Sequence, residues 1–279
     1  MIPHPMPPAR EPLPLRHAIA LGLAQGPAEL LPISSSAHTT LLPWIAGWPY
    51  ATLDGEARKS FEVALHAGAG CALAIVLRRR LLQAARRMDA RLAAALALSV
   101  APAAVAGYTS AGVIERRFGS PRSIAWALTV GGVAMAAADL GARGAERSCD
   151  DAGPGDGLVI GIAQAAALVP GVSRNGATLT AARARGFSRR SADVLSWAVA
   201  MPVIAGASGL RAWRGAREGV APDMRVAAAA GGGAAFVSTL ASARIARGAD
   251  AGSWPPVVAC SIYRCLLALL VALRLRRAH

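Results

Sequence analysis

The chain has 279 residues, of which 54% are hydrophobic and only 5% aromatic, with a formal charge of +14 and a mean hydropathy of +0.40. That much aliphatic surface excludes an ordinary water-soluble domain and describes an integral membrane protein. The positive charge, carried by Arg at all but one basic position, is not accompanied by zinc-finger spacing or interleaved aromatic and basic residues, so nucleic acid is excluded as a partner and lipid headgroups fit better.

Residues 1–14 are rich in proline and lack the apolar core of a secretory signal, which predicts a disordered lead-in. Leu15–Gln25 is apolar but too short for about 30 Å of hydrocarbon, and it runs through Glu29 into a break, Leu31-Pro32-Ile33-Ser34-Ser35-Ser36-Ala37-His38. A second short apolar piece, Thr39–Trp48, follows. Two half-length helices around a polar break predict a re-entrant hairpin, tolerated in a bilayer only where protein or a water-filled cavity surrounds it.

Phe61–Leu77, Leu92–Tyr108 and Ile124–Ala142 are predicted spans. The first two are separated by a basic connection, Arg78 to Arg91, that votes for the cytoplasmic side. Residues 143–156 read as a linker. A second broken hairpin follows around Pro170-Gly171-Val172-Ser173-Arg174-Asn175-Gly176-Ala177-Thr178, and then three more spans, Ala192–Trp213, Met224–Ala241 and Val257–Leu275.

The expected fold class is therefore all-α: a polytopic membrane protein of six full spans and two re-entrant hairpins, divided as 15–142 and 157–279. Three spans in the first half invert the second, so the plan is an inverted-topology repeat. Laying Pro32 on Pro170 matches Ser35 with Ser173 and Thr40 with Thr178, and leaves Gln25 and Gln164 one residue out of register. The four Cys lack paired spacing and are expected to be small core residues.

Chemistry concentrates at the breaks. Gln25 and Glu29 are four apart and share a helix face. A carboxylate there costs about 2.5–3.5 kcal/mol at the midplane unless a cavity, cation or Arg compensates it. Ser34, Ser35 and Ser36 stand at a helix start where one hydroxyl can cap and another can meet a ligand, with His38 within the same turn. At the second break, Ser173 is a favoured cap and Arg174 a planar fork suited to two phosphate oxygens. Free amides at such a helix start attract anions. One half would bring an acid and a base, the other cation and amide donors.

These residues resemble the bacterial undecaprenyl-diphosphate phosphatases linked with bacitracin resistance. The resemblance runs from about Leu15 to Leu275 and is most specific in Q-G-P-A-E-L-L-P-I-S-S-S-A-H from Gln25 and P-G-V-S-R-N-G-A-T from Pro170, with flanking agreement at Ile262-Tyr263-Arg264. It implies removal of the terminal phosphate from undecaprenyl diphosphate, giving the monophosphate carrier lipid that cell-wall synthesis reuses, in a site opening towards the outer face of the bacterial cytoplasmic membrane. Glu29, Ser35, His38 and Arg174 would be catalytic; Gln25, Ser34, Ser36, Ser173, Asn175, Gly176 and Thr178 would bind substrate. It also implies a divalent cation (Mg2+ or Ca2+) at Glu29 and Gln25, and a homodimer. Three positions depart from the family pattern: Gln25 where relatives often carry Glu, Ala37 where Gly is common, and Asn175 where Ser is common. Ala37 matters if that position needs a positive φ. Two readings stay open on the residues alone: His38 as nucleophile or as general base, and, on the same inverted repeat, a polyprenyl-phosphate transporter instead of an enzyme.

Overall fold

The computed structural model describes residues 13–53, 55–86, 88–218, 222–248 and 256–277. The expected lead-in falls almost wholly outside them. Ten α-helices carry the described chain: α1 (Leu15–Leu30), α2 (Ser35–Ala46), α3 (Gly55–Arg86), α4 (Ala90–Phe118), α5 (Pro121–Gly141), α6 (Pro154–Ala166), α7 (Arg174–Ala184), α8 (Arg189–Glu218), α9 (Pro222–Gly248) and α10 (Val257–Arg277). Five of them contain stretches long and apolar enough to cross a membrane, within α3, α4, α5, α9 and α10. The side chains that point outward from these helices are apolar, with Val105, Trp126, Val130, Leu266 and Val237 all more than half exposed. Lipid, not water, is the solvent for that surface, and the protein is a multi-pass membrane protein. The expected sixth span lies in α8, which is 30 residues long but does not qualify among the described residues.

Several boundaries differ from expectation. Helix α1 runs past the apolar stretch that ends at Gln25, through Pro27 to Leu30, and keeps Glu29 in its last turn on the helix face expected for it. Helix α2 starts at Ser35, at the helix start expected among the three serines and ahead of the apolar run from Thr39, because Ser34 caps it. The basic connection is mostly helix: α3 carries its arginines on to Arg86, and only residues 87–89 separate it from α4. Of the four cysteines, all unpaired, Cys260 alone is buried; Cys71 is exposed on α3 because lipid covers small apolar side chains as readily as protein does.

Two of the half-length helices pack on long helices that do not adjoin them in sequence: α1 on α9, and α6 on α4. Both contacts use two glycines four residues apart. A Cβ on Gly22 would overlap the Gly231 carbonyl, and one on Gly26 would overlap Ser238. Likewise a Cβ on Gly157 would overlap the Ala95 carbonyl, and one on Gly161 the Leu98 carbonyl. Without side chains at these points the backbones close to van der Waals contact, which is what drives helix association where lipid tails remove the hydrophobic incentive. Helices α5 and α10 pack against each other and join α2 through Leu41, Leu128 and Val271.

Buried ion pairs fasten the second hairpin. Asp139 on α5 is fully buried and accepts from Arg183 Nε at 3.0 Å and from Arg189 at 2.9 and 2.6 Å, locking α5 to α7 and the start of α8. In the 143–156 connection, Arg147 donates to both oxygens of Asp156 at 2.9 and 2.6 Å and lies over the Phe187 ring, while Arg185 donates to the same carboxylate at 2.8 Å. Burial alone would raise the Asp156 pKa, but these arginines and the Gly153 amide hold it down at about 2.

Candidate active site

The two breaks share one backbone solution. Ser34 (φ 74°, ψ 98°) and Ser173 (φ 70°, ψ 117°) are the only non-glycine residues with positive φ among the described residues. Each caps the helix after it: Ser34 Oγ accepts from the Ala37 amide at 3.4 Å, Ser173 Oγ from the Gly176 amide at 3.1 Å. The structural register is therefore Ser34 with Ser173, one residue away from the pairing of Ser35 with Ser173 suggested by the prolines. In this register Gln25 falls on Gln164 and Thr39 on Thr178, each Thr hydroxyl bonding back to a carbonyl of its own first turn. The prolines mislead because Pro32 sits one residue nearer its cap than Pro170 does. The departure at Ala37 carries no backbone strain, since Ala37 lies inside α2 and the positive φ belongs to Ser34.

A left-handed serine costs of order 1–3 kcal/mol and persists only where its surroundings hold it. Arg264 on α10 supplies that hold. It is fully buried, and its guanidinium donates to the carbonyls of Pro32 (3.2 Å), Gly171 (3.0 Å), Val172 (2.9 Å), Leu128 (3.3 Å) and Ala127 (3.4 Å). One side chain thus ties both breaks and α5 together. Room for it depends on glycine: a Cβ on Gly131 or Gly176 would collide with Arg264.

The breaks meet through side chains as well. Arg174 Nη2 donates to Glu29 Oε1 at 2.9 Å, so a residue of the second hairpin compensates the buried carboxylate of the first. Arg174 also lies 5.6 Å from the Trp197 ring centre, and its Nη1 is buried without a partner. Glu29 Oε2 faces Gln25 Nε2 at 3.4 Å and His66 Nδ1 at 3.7 Å, and Gln25 Nε2 lies 3.2 Å from His66 Nδ1. Ser35 lies beside Glu29. His38 is nearly buried; its Nδ1 is 2.7 Å from the Ser34 carbonyl and its Nε2 is 2.7 Å from the Tyr263 hydroxyl, with the two rings stacked at 5.7 Å. A carbonyl can only accept, so Nδ1 carries the proton and Nε2 keeps the lone pair, which receives the Tyr263 O–H.

The structure thus joins Gln25, Glu29 and Arg174 directly and sets Ser35 beside Glu29, and His38 reaches the same place through Ser34, which shares the first turn of α2 with Ser36, 3.2 Å from its hydroxyl. Three expected ligand contacts are turned elsewhere. Asn175 spends its amide on the Leu30 carbonyl (3.0 Å) and on Ser196 (2.8 Å), pinning one hairpin to the other. Thr178 is fully buried and bonds Ser196 at 2.6 Å. Gly176 makes room for Arg264. Three residues of the site have no role that their place in the sequence discloses. His66 lies in a predicted span with no local motif. Tyr263 and Arg264 stand out along the chain only as flanking agreement.

Paired helix starts, an Arg–carboxylate contact and an imidazole whose Nε2 lone pair is held by the Tyr263 hydroxyl, all buried among membrane helices, define a class: an intramembrane enzyme for an anionic lipid headgroup. Comparison with known proteins then identifies the chain as a member of the family described as Bacitracin resistance protein BacA, which it matches over residues 18–270. It is similar to the undecaprenyl-diphosphatase of Idiomarina loihiensis, 34% identical over 92% of this chain and 97% of that protein. It is also similar to the undecaprenyl-diphosphatase of Pelotomaculum thermopropionicum (40% identical; 68% of this chain, 72% of that protein) and to undecaprenyl-diphosphatase 2 of Stutzerimonas stutzeri (38%; 69% and 74%).

Proposed function

We propose that this protein hydrolyses undecaprenyl diphosphate to undecaprenyl phosphate and inorganic phosphate, returning the carrier lipid to cell-wall synthesis. The observation that carries the reading is the Arg174–Glu29 contact between hairpins, with Arg174 Nη1 left over as a buried donor aimed at nothing in the protein. Phosphoryl transfer needs mainly positioning and neutralisation of charge on the transferred group. Arg174 Nη1 and the uncapped first-turn amides of α2 and α7 take the diphosphate oxygens. His38 Nε2 is the reactive nitrogen: Nδ1 carries the proton given to the Ser34 carbonyl, and the Nε2 lone pair is freed for reaction when substrate takes the place of the Tyr263 hydroxyl. Its lone pair either attacks the terminal phosphorus, breaking the P–O bond to the lipid phosphate, or takes a proton from attacking water. Rapid quench separates these uses, since only the first leaves phosphate on histidine.

A divalent cation is compatible with the donor set: Glu29 Oε2 is not used by Arg174, and Gln25 Oε1 is buried without a partner. Glu29 and Gln25 would hold it, and when bound it neutralises phosphate charge. Further elements of the reading, namely two inverted halves, a pocket opening to the outer face, and a homodimer, rest on the family resemblance.

The test is phosphate release from polyprenyl diphosphates by detergent-purified protein, with and without chelator. Arg174→Ala is expected to reduce turnover about 10^2–10^3-fold, and Arg174→Lys to restore little, since an ammonium cannot contact Glu29 and phosphate as two prongs of one fork. A transporter would bind the lipid and release no phosphate. Near-normal turnover in the lysine variant would show that the fork is not used.

A further inference from the structure

Towards their C-terminal ends, α3 and α9 enclose a cavity of about 440 Å3 that the proposed hydrolysis does not use. Its lining is half aliphatic, from Ile75, Val76 and Leu240, and half cationic, from Arg78, Arg79 and Arg244. The two helices run in the same direction and touch where a Cβ on Gly68 would overlap the Gly232 carbonyl, so their later turns reach the same level. The stretches apolar enough to cross a bilayer are Ala57–Arg79 in α3 and Met224–Arg244 in α9, and both end at arginines of the cavity. The cavity therefore lies where hydrocarbon gives way to headgroups. Neither helix stops there: α3 continues to Arg86 and α9 to Gly248, which places the free carbonyls of the helix ends, unfavourable to anions, beyond it. Residues 63–86 of α3 and 224–248 of α9 contain no Asp or Glu. Among the described residues none of the three arginines is paired with a carboxylate, and Arg78 gives one nitrogen to the Ile75 carbonyl at 3.4 Å.

We propose that this cavity is a binding site for an anionic phospholipid of the adjoining leaflet, and that a headgroup with two phosphates binds it better than a headgroup with one. Arginines at a span end ordinarily reach the headgroup layer one by one as each helix leaves the membrane. Here three of them, from two helices, converge on one enclosed volume. Guanidinium forks take phosphate oxygens in pairs, and basic pockets between membrane helices suit lipids that carry more than one phosphate. A single phosphate diester brings one negative charge to three positive ones, and two phosphates come closer to balance. Ile75, Val76 and Leu240 then cover the first methylenes of the acyl chains. The other basic cavity, lined by Leu270, Leu273, Arg274 and Arg277, stands on α10 alone and has no second helix to fix the spacing of its guanidiniums. The α3–α9 site is separate from Arg174 and Glu29 and does not depend on the phosphatase reading. It touches that centre only through packing, because Val76 lies against the cluster that holds Leu30, next to Glu29, and Trp197, beneath Arg174. A lipid bound there fastens α3 to α9 behind that wall, so its effect is read in stability.

The test uses purified full-length protein in lipid-free detergent, with diphosphatidylglycerol, phosphatidylglycerol and phosphatidylcholine as probes, read by native mass spectrometry and thermal melting. In wild type, diphosphatidylglycerol is expected to bind saturably and to raise the melting temperature most, phosphatidylglycerol less, and phosphatidylcholine not at all, with affinity falling as salt rises. Arg79→Gln combined with Arg244→Gln should weaken diphosphatidylglycerol about 25-fold, roughly fivefold for each charge removed, and lose most of the melting shift while melting as wild type without lipid. Arg274→Gln combined with Arg277→Gln removes the same charge elsewhere and should bind as wild type does. Equal affinity for phosphatidylcholine, wild-type affinity in the first pair of substitutions, or the same loss in the second pair would each overturn the proposal. Undecaprenyl phosphate binding more tightly than diphosphatidylglycerol, with that affinity lost in the first pair, would assign the cavity to prenyl lipid and overturn it too. The wild-type headgroup series needs no variant to fold. Phosphate release takes no part in the readout, so the site and the phosphatase reading fail independently.

Discussion

Substituting Arg264 tests whether one side chain holds both breaks in shape. Of its five acceptors, Leu128 and Ala127 lie within α5, where the helical ladder already uses their carbonyls. Pro32, Gly171 and Val172 lie in the breaks, and Arg264 is the partner of each. A buried carbonyl left unsatisfied costs about 1–3 kcal/mol, so Arg264→Met, which removes all donors at similar length, costs about 3–9 kcal/mol, a large part of a typical 5–15 kcal/mol stability. Arg264→Lys keeps a charge but has a single nitrogen. It can serve the Gly171–Val172 side and leave Pro32 unsatisfied, forfeiting about 1–3 kcal/mol, or serve Pro32 and leave two carbonyls, forfeiting about 2–6 kcal/mol. The assay is thermal unfolding in detergent alongside phosphate release. The lysine variant should remain folded with lowered stability and strongly reduced turnover, because the break it releases moves Ser34 or Ser173, and with it Glu29 or Arg174. If Arg264→Met melts and turns over like wild type, the clamp is not holding the breaks and the left-handed serines are stabilised by something else.

Tyr263→Phe keeps the stack on His38 but removes the 2.7 Å contact to Nε2. Turnover is expected to fall about tenfold as the imidazole loses its second anchor, with KM and melting little changed; an unaltered kcat would mean that Ser34 alone orients the ring. Gly157→Ala places a methyl on the Ala95 carbonyl and should cost about 1–3 kcal/mol by prising α6 from α4; wild-type melting would contradict the close approach. Acid sensitivity should report on Asp156. Its folded pKa of about 2 lies below the ordinary 3.8, so its stabilisation is complete above the ordinary value and is lost as pH falls through about 2. The contribution is about 2 kcal/mol. Asp156→Asn should flatten the stability profile between about pH 5 and pH 2, and a profile superimposable on wild type would refute the assignment.

Much of this protein can be read from residue order, because the relevant physics is local. Apolar runs of span length, half-length runs ended by Pro32 and Pro170, and serines placed to cap the next helix are all properties of consecutive residues. The glycine pairs Gly22/Gly26 and Gly157/Gly161 are local in spacing too, but it is the packing that shows them to mark the tight helix contacts. The cost of burying Glu29 points to a compensating partner, and Arg174 is the cation of the other break. Family likeness supplies the chemical class, and with it the function.

Other features exist only in three dimensions. The register of the two breaks is decided by backbone dihedrals at Ser34 and Ser173, not by the prolines beside them. Asn175 and Thr178, which look like ligand contacts when read along the chain, turn inward to Leu30 and Ser196. Arg264 binds five carbonyls scattered over three segments, and a carbonyl is present in every residue, so nothing in the order of side chains announces which ones it will find. His66 gains its meaning from Glu29 and from Gln25, 41 positions away, and Tyr263 from His38, 225 positions away. Sequence determined which segments enter the membrane and where they break; tertiary packing decided which groups meet there, because distant contacts leave no periodic trace in the chain.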